Sequence, residues 1–333
     1  MKAMLLERIA PVAHRPLRLV ELPDPDPGPG EIRIRVRACG VCRTDLHVVE
    51  GDLPEATLPI IPGHQIVGEV DAIGSGAGAF SPGDRIGVGW LRGTCGECDC
   101  CLRGDENLCP DSRYTGYHEH GGYAELAVVP EEFAYPIPEE FDPLQAAPLL
   151  CAGIIGYRAL KLADVPPGGR LALFGFGSSA SVVIQIALFR GYEVHVVTRG
   201  DSHRRLARDM GAHWVGAAGD TTPVEADSAI IFAPAGEIVP DALRSVRKGG
   251  TVVTAGIYMT PVPELDYETH LFHEKVLRSV EANTREDGRG LLREASQVPV
   301  RARVTAFPLE EANEALIRLK NDRIDGSAVL VMG

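Results

Sequence analysis

The chain has 333 residues, more than one ordinary hydrophobic core requires, and this length predicts about two domains. Its formal net charge of −13 at pH 7 offers no basic surface to a phosphate backbone or an anionic membrane, so nucleic acid and lipid are not expected partners. The N-terminal residues lack the apolar stretch of a signal peptide, and no later segment approaches the roughly 20 apolar residues of a membrane span. We therefore expect a soluble, cytoplasmic protein.

The first half of the chain has the pattern of short strands separated by proline and glycine turns. Apolar residues at positions 32, 34 and 36 alternate with three arginines, which is the period of a half-buried strand. Strands are predicted at 32–36, 67–70, 85–88 and 124–128. The pattern indicates an all-β module.

A cysteine-rich segment is inserted in this module. Its four regularly spaced cysteines are separated by two, two and seven residues: Cys95, Cys98, Cys101 and Cys109. Short thiolate spacings let a loop close around one tetrahedral zinc ion, and Gly96 and Gly104 supply the tight bends. A disulfide pair is the alternative, but dense thiols in a chain without an export signal favour metal. A site with four thiolates has no open position and is structural.

The second half alternates apolar strands with helices, which predicts a parallel, doubly wound α/β sheet. The predicted strands are 171–174, 194–197, 229–232 and 251–255, and the predicted helices are 179–189, 203–210 and 240–246. A helix at 309–319 and a last strand at 328–331 follow, and we expect this strand to rejoin the first module.

A glycine-rich turn between the first strand and helix of this half has the pattern of a dinucleotide-binding fingerprint. Gly175 would permit the turn, Gly177 would let the backbone approach a pyrophosphate, and Ala180 would keep helix against strand. The residues assigned to cofactor binding here are Gly175, Phe176, Gly177, Ser178, Ser179 and Ala180. Glycine-rich packing without a ligand is the alternative.

The end of the next strand predicts which cofactor is bound. An acidic residue would hold the ribose hydroxyls of NAD there, but the chain has Thr198 and Arg199. A small polar residue followed by arginine suits the 2′-phosphate of NADP(H), which we expect to be preferred over NAD(H). The alternative is that Arg199 is only a solvent-exposed charge, beside a pocket that accepts NAD.

Four cysteines lie outside the regular spacing: Cys39, Cys42, Cys100 and Cys151. A catalytic zinc keeps three protein ligands and one open position, for which Cys42, His64 and Cys151 are suitable, although they lie 22 and 87 positions apart and spacing does not select them. Cys39 and Cys42 form C-x-x-C, the pattern of a dithiol redox site; we expect Cys39 instead to be a small core residue.

Five segments occur in a recognisable order: G-V-C-R-T-D-L-H at 40–47, G-H-Q-I-V-G-E-V at 63–70, the cysteine segment, L-L-C-A-G at 149–153 and G-F-G-S-S-A at 175–180. In this order the chain resembles the zinc-dependent medium-chain alcohol dehydrogenases over nearly its whole length, and most closely a bacterial branch similar to cinnamyl-alcohol dehydrogenases. The resemblance implies a GroES-like catalytic domain at 1–151 and 295–333, with a structural zinc lobe at about 91–112. It implies a Rossmann NAD(P)-binding domain at 152–294.

The resemblance also implies residue roles. Cys42, His64 and Cys151 would bind a catalytic zinc, giving two zinc ions per subunit. Asp45 would hydrogen-bond the far nitrogen of His64. Arg43 would contact the cofactor pyrophosphate, while Thr44 would hydrogen-bond the alcohol and pass its proton through the cofactor ribose toward His47.

Two positions depart from the family pattern. Gln65 stands where the family usually has glutamate, which makes the zinc surroundings less negative. The last strand begins Ser327-Ala328, where many relatives carry a basic phosphate contact. Cofactor affinity would therefore depend more on Arg43 and Arg199.

The implied substrate pocket is mainly apolar and contains Val49, Leu53 and Trp90, with Gly256 and Ile257 beside the nicotinamide. We expect an enzyme that interconverts primary aliphatic or aromatic alcohols and aldehydes with NADP(H), working as a homo-oligomer. An NAD-dependent alcohol or polyol dehydrogenase on the same scaffold is the alternative. A zinc-module adaptor or nucleic-acid binder is a third, but it would have no use for the fingerprint.

Overall fold

The structure, a computed structural model, describes residues 1–53, 56–298, 300–324 and 326–333. These residues form two compact units. The first unit contains Met1–Cys151, Ala282–Leu292 and Arg301–Gly333, and the second contains Ala152–Glu281 and Arg293–Val300. The predicted domains differ from these units only within 282–300, because no helix was predicted in that segment. The domain assignment itself stays a prediction.

The elements before Cys151 are mostly short strands. They are β1 (Lys2–Leu6), β2 (Leu17–Glu21), β3 (Glu31–Val41), α1 (Arg43–Glu50), β4 (Gln65–Ile73), β5 (Arg85–Val88), β6 (Leu91–Gly93), α2 (Asp99–Leu102), β7 (Arg113–Tyr114), β8 (Leu126–Pro130), β9 (Ala134–Pro136) and α3 (Pro143–Ala146).

Strands and helices alternate after Cys151. They are α4 (Ala152–Ala163), β10 (Arg170–Phe174), α5 (Ser178–Phe189), β11 (Glu193–Val197), α6 (Asp201–Asp209), β12 (Trp214–Gly216), β13 (Ala226–Ile231), α7 (Val239–Ser245), β14 (Val246–Thr254), α8 (Tyr267–His270) and β15 (Val276–Ser279). The chain ends with α9 (Arg285–Gln297), β16 (Val304–Pro308), α10 (Ala312–Lys320) and β17 (Ser327–Val331).

The first unit is built on a sheet in the order β16-β17-β3-β4-β5-β9, with β8 also paired to β3. The predicted alternation in β3 is confirmed: Ile32, Ile34 and Val36 are buried. Arginines on the opposite face form ion pairs, for example Arg37 with Glu69 at 2.9 Å. The prediction that the last strand rejoins this module is confirmed, because β17 pairs antiparallel with β3.

The second unit contains a six-stranded sheet in the order β12-β11-β10-β13-β14-β15. All five pairings are parallel. The chain starts in the middle with β10, runs outward through β11 and β12, then crosses to β13, so the order reverses beside β10. This is the doubly wound arrangement, whose ligands bind at the carboxyl ends of the strands where the order reverses. The predicted fold class is confirmed.

Several elements were not predicted from the sequence, among them α4, β12, β15 and α9. Strand β15 is short and largely exposed, so it lacks the apolar run of a buried strand. Helix α9 contains Gly288 and Gly290, which lower helix propensity, and its packing compensates: a Cβ at position 288 would lie 2.5 Å from the Tyr135 ring.

Among the described residues, no single helix is long and apolar enough to cross a membrane. Two consecutive helices that meet at a bend, Pro143–Leu150 and Ala152–Ala163, together have the length and apolar composition of a membrane span, by those two properties alone.

Candidate active site

The four regularly spaced cysteines converge, and together they define the four-cysteine lobe. The Sγ atoms of Cys95, Cys98, Cys101 and Cys109 all lie within 4.8 Å of one another. Sγ of Cys95 is 3.9 Å from that of Cys101 and 3.5 Å from that of Cys109. A tetrahedral zinc with Zn–S bonds of about 2.3 Å separates two sulfurs by about 3.8 Å, so the donor set fits the ion.

The backbone of the lobe is arranged around these sulfurs. Gly96 and Gly104 have φ of +75° and +82°, the left-handed region that favours glycine. The N–H of Cys98 donates to Sγ of Cys95 at 3.3 Å, and the N–H of Cys95 donates to Sγ of Cys109 at 3.4 Å. Hydrogen bonds, of which the backbone bond at Cys101 is the strongest, lower the pKa of Cys98 to about 7 and favour its thiolate. Cys100 lies outside the group.

A buried carboxylate inside the lobe binds the start of helix α9. Glu106 lies between Cys101 and Cys109 and is only 8% exposed. Its Oε1 accepts the backbone N–H of Arg285 at 2.6 Å, and its Oε2 accepts Nη2 of the same residue at 2.6 Å. Burial would raise the pKa of Glu106, but the hydrogen bonds from Arg285 outweigh it and lower the pKa. Motif spacing did not reveal this anchor, since its partner is 179 positions away.

The second group of donors is Cys42, His64 and Cys151, which we call the three-ligand site. Sγ of Cys42 lies 3.5 Å from Nε2 of His64 and 3.9 Å from Sγ of Cys151. Tetrahedral zinc with Zn–S of about 2.3 Å and Zn–N of about 2.0–2.1 Å requires about 3.6 Å and 3.8 Å for these separations. Two sulfurs and one imidazole therefore fit zinc, and three protein ligands leave its fourth position open to another molecule.

Asp45 connects two of these ligands. Its Oδ1 lies 2.9 Å from Nδ1 of His64, and its Oδ2 accepts the backbone N–H of Cys42 at 2.8 Å. Cys42 is the N-cap of α1, and its Sγ accepts the N–H of Thr44 at 3.3 Å. The carboxylate therefore fixes the His64 ring with Nε2 facing the sulfurs and also holds the helix start that carries Cys42.

The charges in this site reinforce one another. The hydrogen bond with Cys151 is the main cause that lowers the pKa of Cys42. His64 lowers this pKa further, and the two effects outweigh burial, which would raise it. Burial would lower the pKa of His64, but the charges of Asp45 and Cys42 outweigh it and raise the pKa to about 10. The site thus favours a Cys42 thiolate beside a protonated His64, while the hydrogen bond with Cys42 and burial raise the pKa of Cys151; metal binding would release the protons of His64 Nε2 and Cys151.

The remaining predicted polar residues lie around α1 and the start of β4. Thr44 and Gln65 are buried, and Nε2 of Gln65 has no hydrogen-bond partner among the described residues. Nδ1 of His47 lies 2.8 Å from Oδ2 of Asp52, a contact that the sequence did not reveal. Arg43 forms an ion pair with Asp322.

The predicted pocket residues have different surroundings. Trp90 meets the His64 ring edge-on at 5.0 Å and stacks on Tyr114 at 4.9 Å. Leu53 is partly buried against the core of the first unit. Val49 is 0% exposed within that core, and this burial does not favour its assignment to a substrate pocket. The pocket assignments stay predictions.

The fingerprint of the second unit has the expected backbone. Gly175 directly follows β10 with φ of +88°, and a Cβ there would lie 2.9 Å from the backbone nitrogen of Ala233. Gly177 is the N-cap of α5, and a Cβ there would meet no atom within 4 Å, so the space beside it can accept a ligand. Ala180 is fully buried. Phe176 is also buried, and Ser178 and Ser179 begin α5, whose N–H groups can bind a phosphate.

The ends of β11 and β14 carry the other predicted cofactor residues. Thr198 follows β11 and is buried, whereas the side chain of Arg199 is exposed. The nearest carboxylate in the following sequence, Asp201, forms an ion pair with Arg204. Gly256 and Ile257 follow β14, and Ile257 is 51% exposed.

Two family models match the chain. The alcohol dehydrogenase GroES-like domain matches residues 28–139, and the zinc-binding dehydrogenase model matches residues 180–297. A probable alcohol dehydrogenase, AdhA, from Mycobacterium tuberculosis is 49% identical over 337 residues, covering 100% of this chain and 97% of the relative.

Solved structures agree with these matches. An NAD-dependent alcohol dehydrogenase has a TM-score of 0.90 at 26% identity and covers 100% of both chains. A cinnamyl alcohol dehydrogenase from Sorghum bicolor has a TM-score of 0.89 at 28% identity, covering 99% of this chain and 97% of the other.

Proposed function

Because the chain belongs to the zinc-dependent, medium-chain alcohol dehydrogenase family, we propose that this enzyme interconverts primary alcohols and aldehydes by hydride transfer to or from NADP(H), using two zinc ions per chain. One observation carries the proposal: two sulfurs and one imidazole nitrogen converge within 4.8 Å in the three-ligand site. The four-cysteine lobe binds the second zinc ion, which is structural.

In this proposal the three-ligand site holds the catalytic zinc through Cys42, His64 and Cys151. Zinc there supplies Lewis-acid chemistry: it lowers the pKa of a coordinated alcohol or polarises the carbonyl of an aldehyde. Asp45 keeps the tautomer of His64 correct because it accepts the proton at Nδ1 and leaves Nε2 for the metal.

The proton of the alcohol leaves through residues of α1. The hydroxyl of Thr44 would accept the alcohol's proton and pass on its own, and the ribose of a bound cofactor would link Thr44 to His47. Asp52 supports this role because its carboxylate, 2.8 Å from Nδ1, orients the His47 ring. His47 then gives the proton to solvent.

The second unit binds the cofactor. The open space at Gly177 and the N-terminus of α5 would accept the pyrophosphate. The family resemblance assigns Arg43 as a cationic contact of the pyrophosphate, and Gly256 and Ile257 as residues that would bind the nicotinamide. The nicotinamide carries the hydride, and the protein supplies position.

Thr198 and Arg199 underlie the preference for NADP(H). Thr198 has no charge that would repel a 2′-phosphate, and the exposed Arg199 can pair with one. A charge-assisted contact is worth roughly 1.5–3 kcal/mol, which corresponds to a preference of about ten- to a hundredfold.

Two predicted pocket residues are apolar and support a primary aliphatic or aromatic alcohol as substrate. Trp90 presents an aromatic ring, and Leu53 adds an aliphatic side chain. A polyol would need polar partners for its additional hydroxyls, because an unsatisfied buried hydroxyl is costly.

A substrate and cofactor panel tests the reaction. Butan-1-ol, benzyl alcohol and sorbitol are each assayed with NADP⁺ and NAD⁺, with the corresponding aldehydes in reverse. We expect turnover of the two primary alcohols with NADP⁺ and little turnover of sorbitol. Turnover restricted to sorbitol would instead identify a polyol dehydrogenase.

Two variants test the cofactor preference. Thr198→Asp should reverse it, since a carboxylate repels the 2′-phosphate and accepts the ribose hydroxyls. Arg199→Ala should raise KM for NADP(H) about tenfold or more and leave KM for NAD(H) nearly unchanged. Comparable efficiency with both cofactors in the wild type, unaltered in Arg199→Ala, would contradict the preference.

We also propose a homo-oligomer joined at an edge of the second unit's sheet. Among the residues that the structure describes, β15 is an edge strand with one side unpaired, and its Val276 is 45% exposed. Light scattering at assay concentration should give the mass of two or more chains, and an active monomer would overturn this proposal.

A further inference from the structure

The proposed pyrophosphate contact, Arg43, is engaged by a carboxylate of its own unit. Its Nη2 donates to Oδ1 of Asp322 at 2.6 Å, with the two side chains 45% and 74% exposed. Arg43 is the first residue of α1, and Asp322 lies in the turn after α10. A guanidinium binds carboxylate and phosphate oxygens through the same N–H groups, so the two anions are alternatives for it.

Asp322 occupies a backbone position that ordinarily favours glycine. Its φ is +52°, in the left-handed region, and its N–H donates to the carbonyl of Leu319 as the helix ends. The N–H of Arg323 closes the turn onto the carbonyl of Arg318 at 2.9 Å. Glycine is the usual residue here because a Cβ is unfavourable in this conformation, and aspartate is one of the few other residues that adopt it.

A second ion pair fixes the end of α10 to α1. Nζ of Lys320 lies 2.8 and 2.7 Å from the two carboxylate oxygens of Glu50, the last residue of α1. Glu50 also accepts the N–H of Val12 at 2.8 Å. The segment that leads into the Asp322 turn is therefore held to α1 by a contact other than the Asp322–Arg43 pair.

We propose that Asp322 acts as an internal competitor for Arg43: its carboxylate takes the place of the cofactor pyrophosphate on the guanidinium and weakens the binding of both NADP(H) and NAD(H). This rests on the proposed role of Arg43. An incoming pyrophosphate must displace Asp322 or share Arg43 with it against the repulsion of like charges. Because the pyrophosphate is common to both cofactors, Asp322 lowers affinity for each without setting the preference between them.

Direct titration of the whole enzyme with NADPH and with NADH, followed by nucleotide fluorescence, tests the proposal. Asp322→Asn keeps the size of the side chain and tolerates the left-handed conformation, but removes the charge. We expect Kd to fall about two- to fivefold for both nucleotides at low salt, and the gain to shrink at high ionic strength.

Glu310→Gln is the matched control. It changes the net charge equally at the opposite end of α10, a nine-residue helix about 14 Å long, so Kd should not change. Arg43→Ala should raise Kd, and Asp322→Asn in the Arg43→Ala background should have no further effect.

The outcomes separate this inference from the proposed function. An unchanged or higher Kd in Asp322→Asn, while Arg43→Ala weakens binding, overturns the competition and leaves the role of Arg43 intact. Tightening that persists in the Arg43→Ala background also overturns it. Unchanged binding in Arg43→Ala alone overturns the proposed pyrophosphate contact and the competition with it.

Discussion

The four-cysteine lobe and the three-ligand site use similar donors in opposite ways. All donors of the lobe lie within 15 consecutive residues, and its glycines bend one loop around the sulfurs. The donors of the three-ligand site come from the start of α1, the residue before β4 and the end of the first 151 residues. The first cluster is therefore local, whereas the second exists only once the surrounding sheet has formed.

This difference separates what each site can do. A loop that closes four thiolates around an ion stabilises its own conformation, since metal binding contributes folding energy directly. A site with three ligands on a preformed scaffold can leave one position for a substrate, because the scaffold and Asp45 hold the donors in place. The comparison predicts that damage to the lobe affects stability and damage to the three-ligand site affects catalysis.

The largest expected effect is the loss of turnover in Cys151→Ser. Serine is a poor zinc ligand, and Lewis-acid stabilisation is worth several kcal/mol, so kcat should fall at least about 10³-fold. The far-UV circular dichroism and unfolding midpoint should stay close to wild type. Cys100→Ser, which lies outside both clusters, is the control and should retain full activity.

Cys98→Ser should have the opposite signature. Loss of one thiolate from the lobe should lower the thermal unfolding midpoint by roughly 5–10 °C, because structural zinc contributes to folding. The folded fraction should keep much of its turnover. A variant of normal stability without activity would contradict the assigned roles.

Glu106→Gln tests whether the lobe stabilises the first unit through its anchor on α9. Removing the charge weakens several hydrogen bonds from Arg285, so the free energy of unfolding should fall by about 1.5–3 kcal/mol. Glu132→Gln is the control: that carboxylate accepts a hydrogen bond from Nη1 of Arg285 and is 63% exposed, so its loss should cost about 1 kcal/mol or less.

The same anchor predicts a pH dependence. The pKa of Glu106 is lowered in the folded chain, so its contribution is fully present above the unfolded value of about 4.3 and is lost as pH falls through the folded value. The stability difference between wild type and Glu106→Gln should be constant from pH 6 to 8 and shrink in acid, within the range in which the chain remains folded. A difference that grows in acid would contradict this assignment.

The smallest effect is expected for Asp45→Asn. The amide keeps the size of the side chain but no longer matches both N–H donors, so zinc affinity at the three-ligand site should fall about 10- to 100-fold. Competition with a chelator measures this change. Asp52→Asn, which loses the contact to His47 but touches no zinc ligand, should leave zinc affinity unchanged.

The sequence predicted local features well. The alternation in β3, the strand–turn–helix at Gly175 and the lobe spacing are all short-range patterns, and the structure contains each of them. The fold class followed, because repeated strand–helix alternation leaves few arrangements other than a parallel sheet.

Contacts between residues far apart in the sequence could not be predicted from such short-range patterns. The three donors of the second site were identified through family resemblance, and nothing in the local sequence pairs Glu106 with Arg285 or Arg43 with Asp322. Val49 illustrates the same limit: it was assigned to the substrate pocket, but its complete burial depends on the packing of α1 in the core. Such contacts depend on tertiary structure, which hydrophobic periodicity and motif spacing do not predict.

Zinc content measured together with turnover tests the central claim most directly. The account predicts two zinc ions per chain in active wild-type enzyme, and one zinc ion with no turnover in folded Cys151→Ser. Full activity with a single zinc ion per chain, or two zinc ions retained in Cys151→Ser, would contradict the assignment of one structural and one catalytic site.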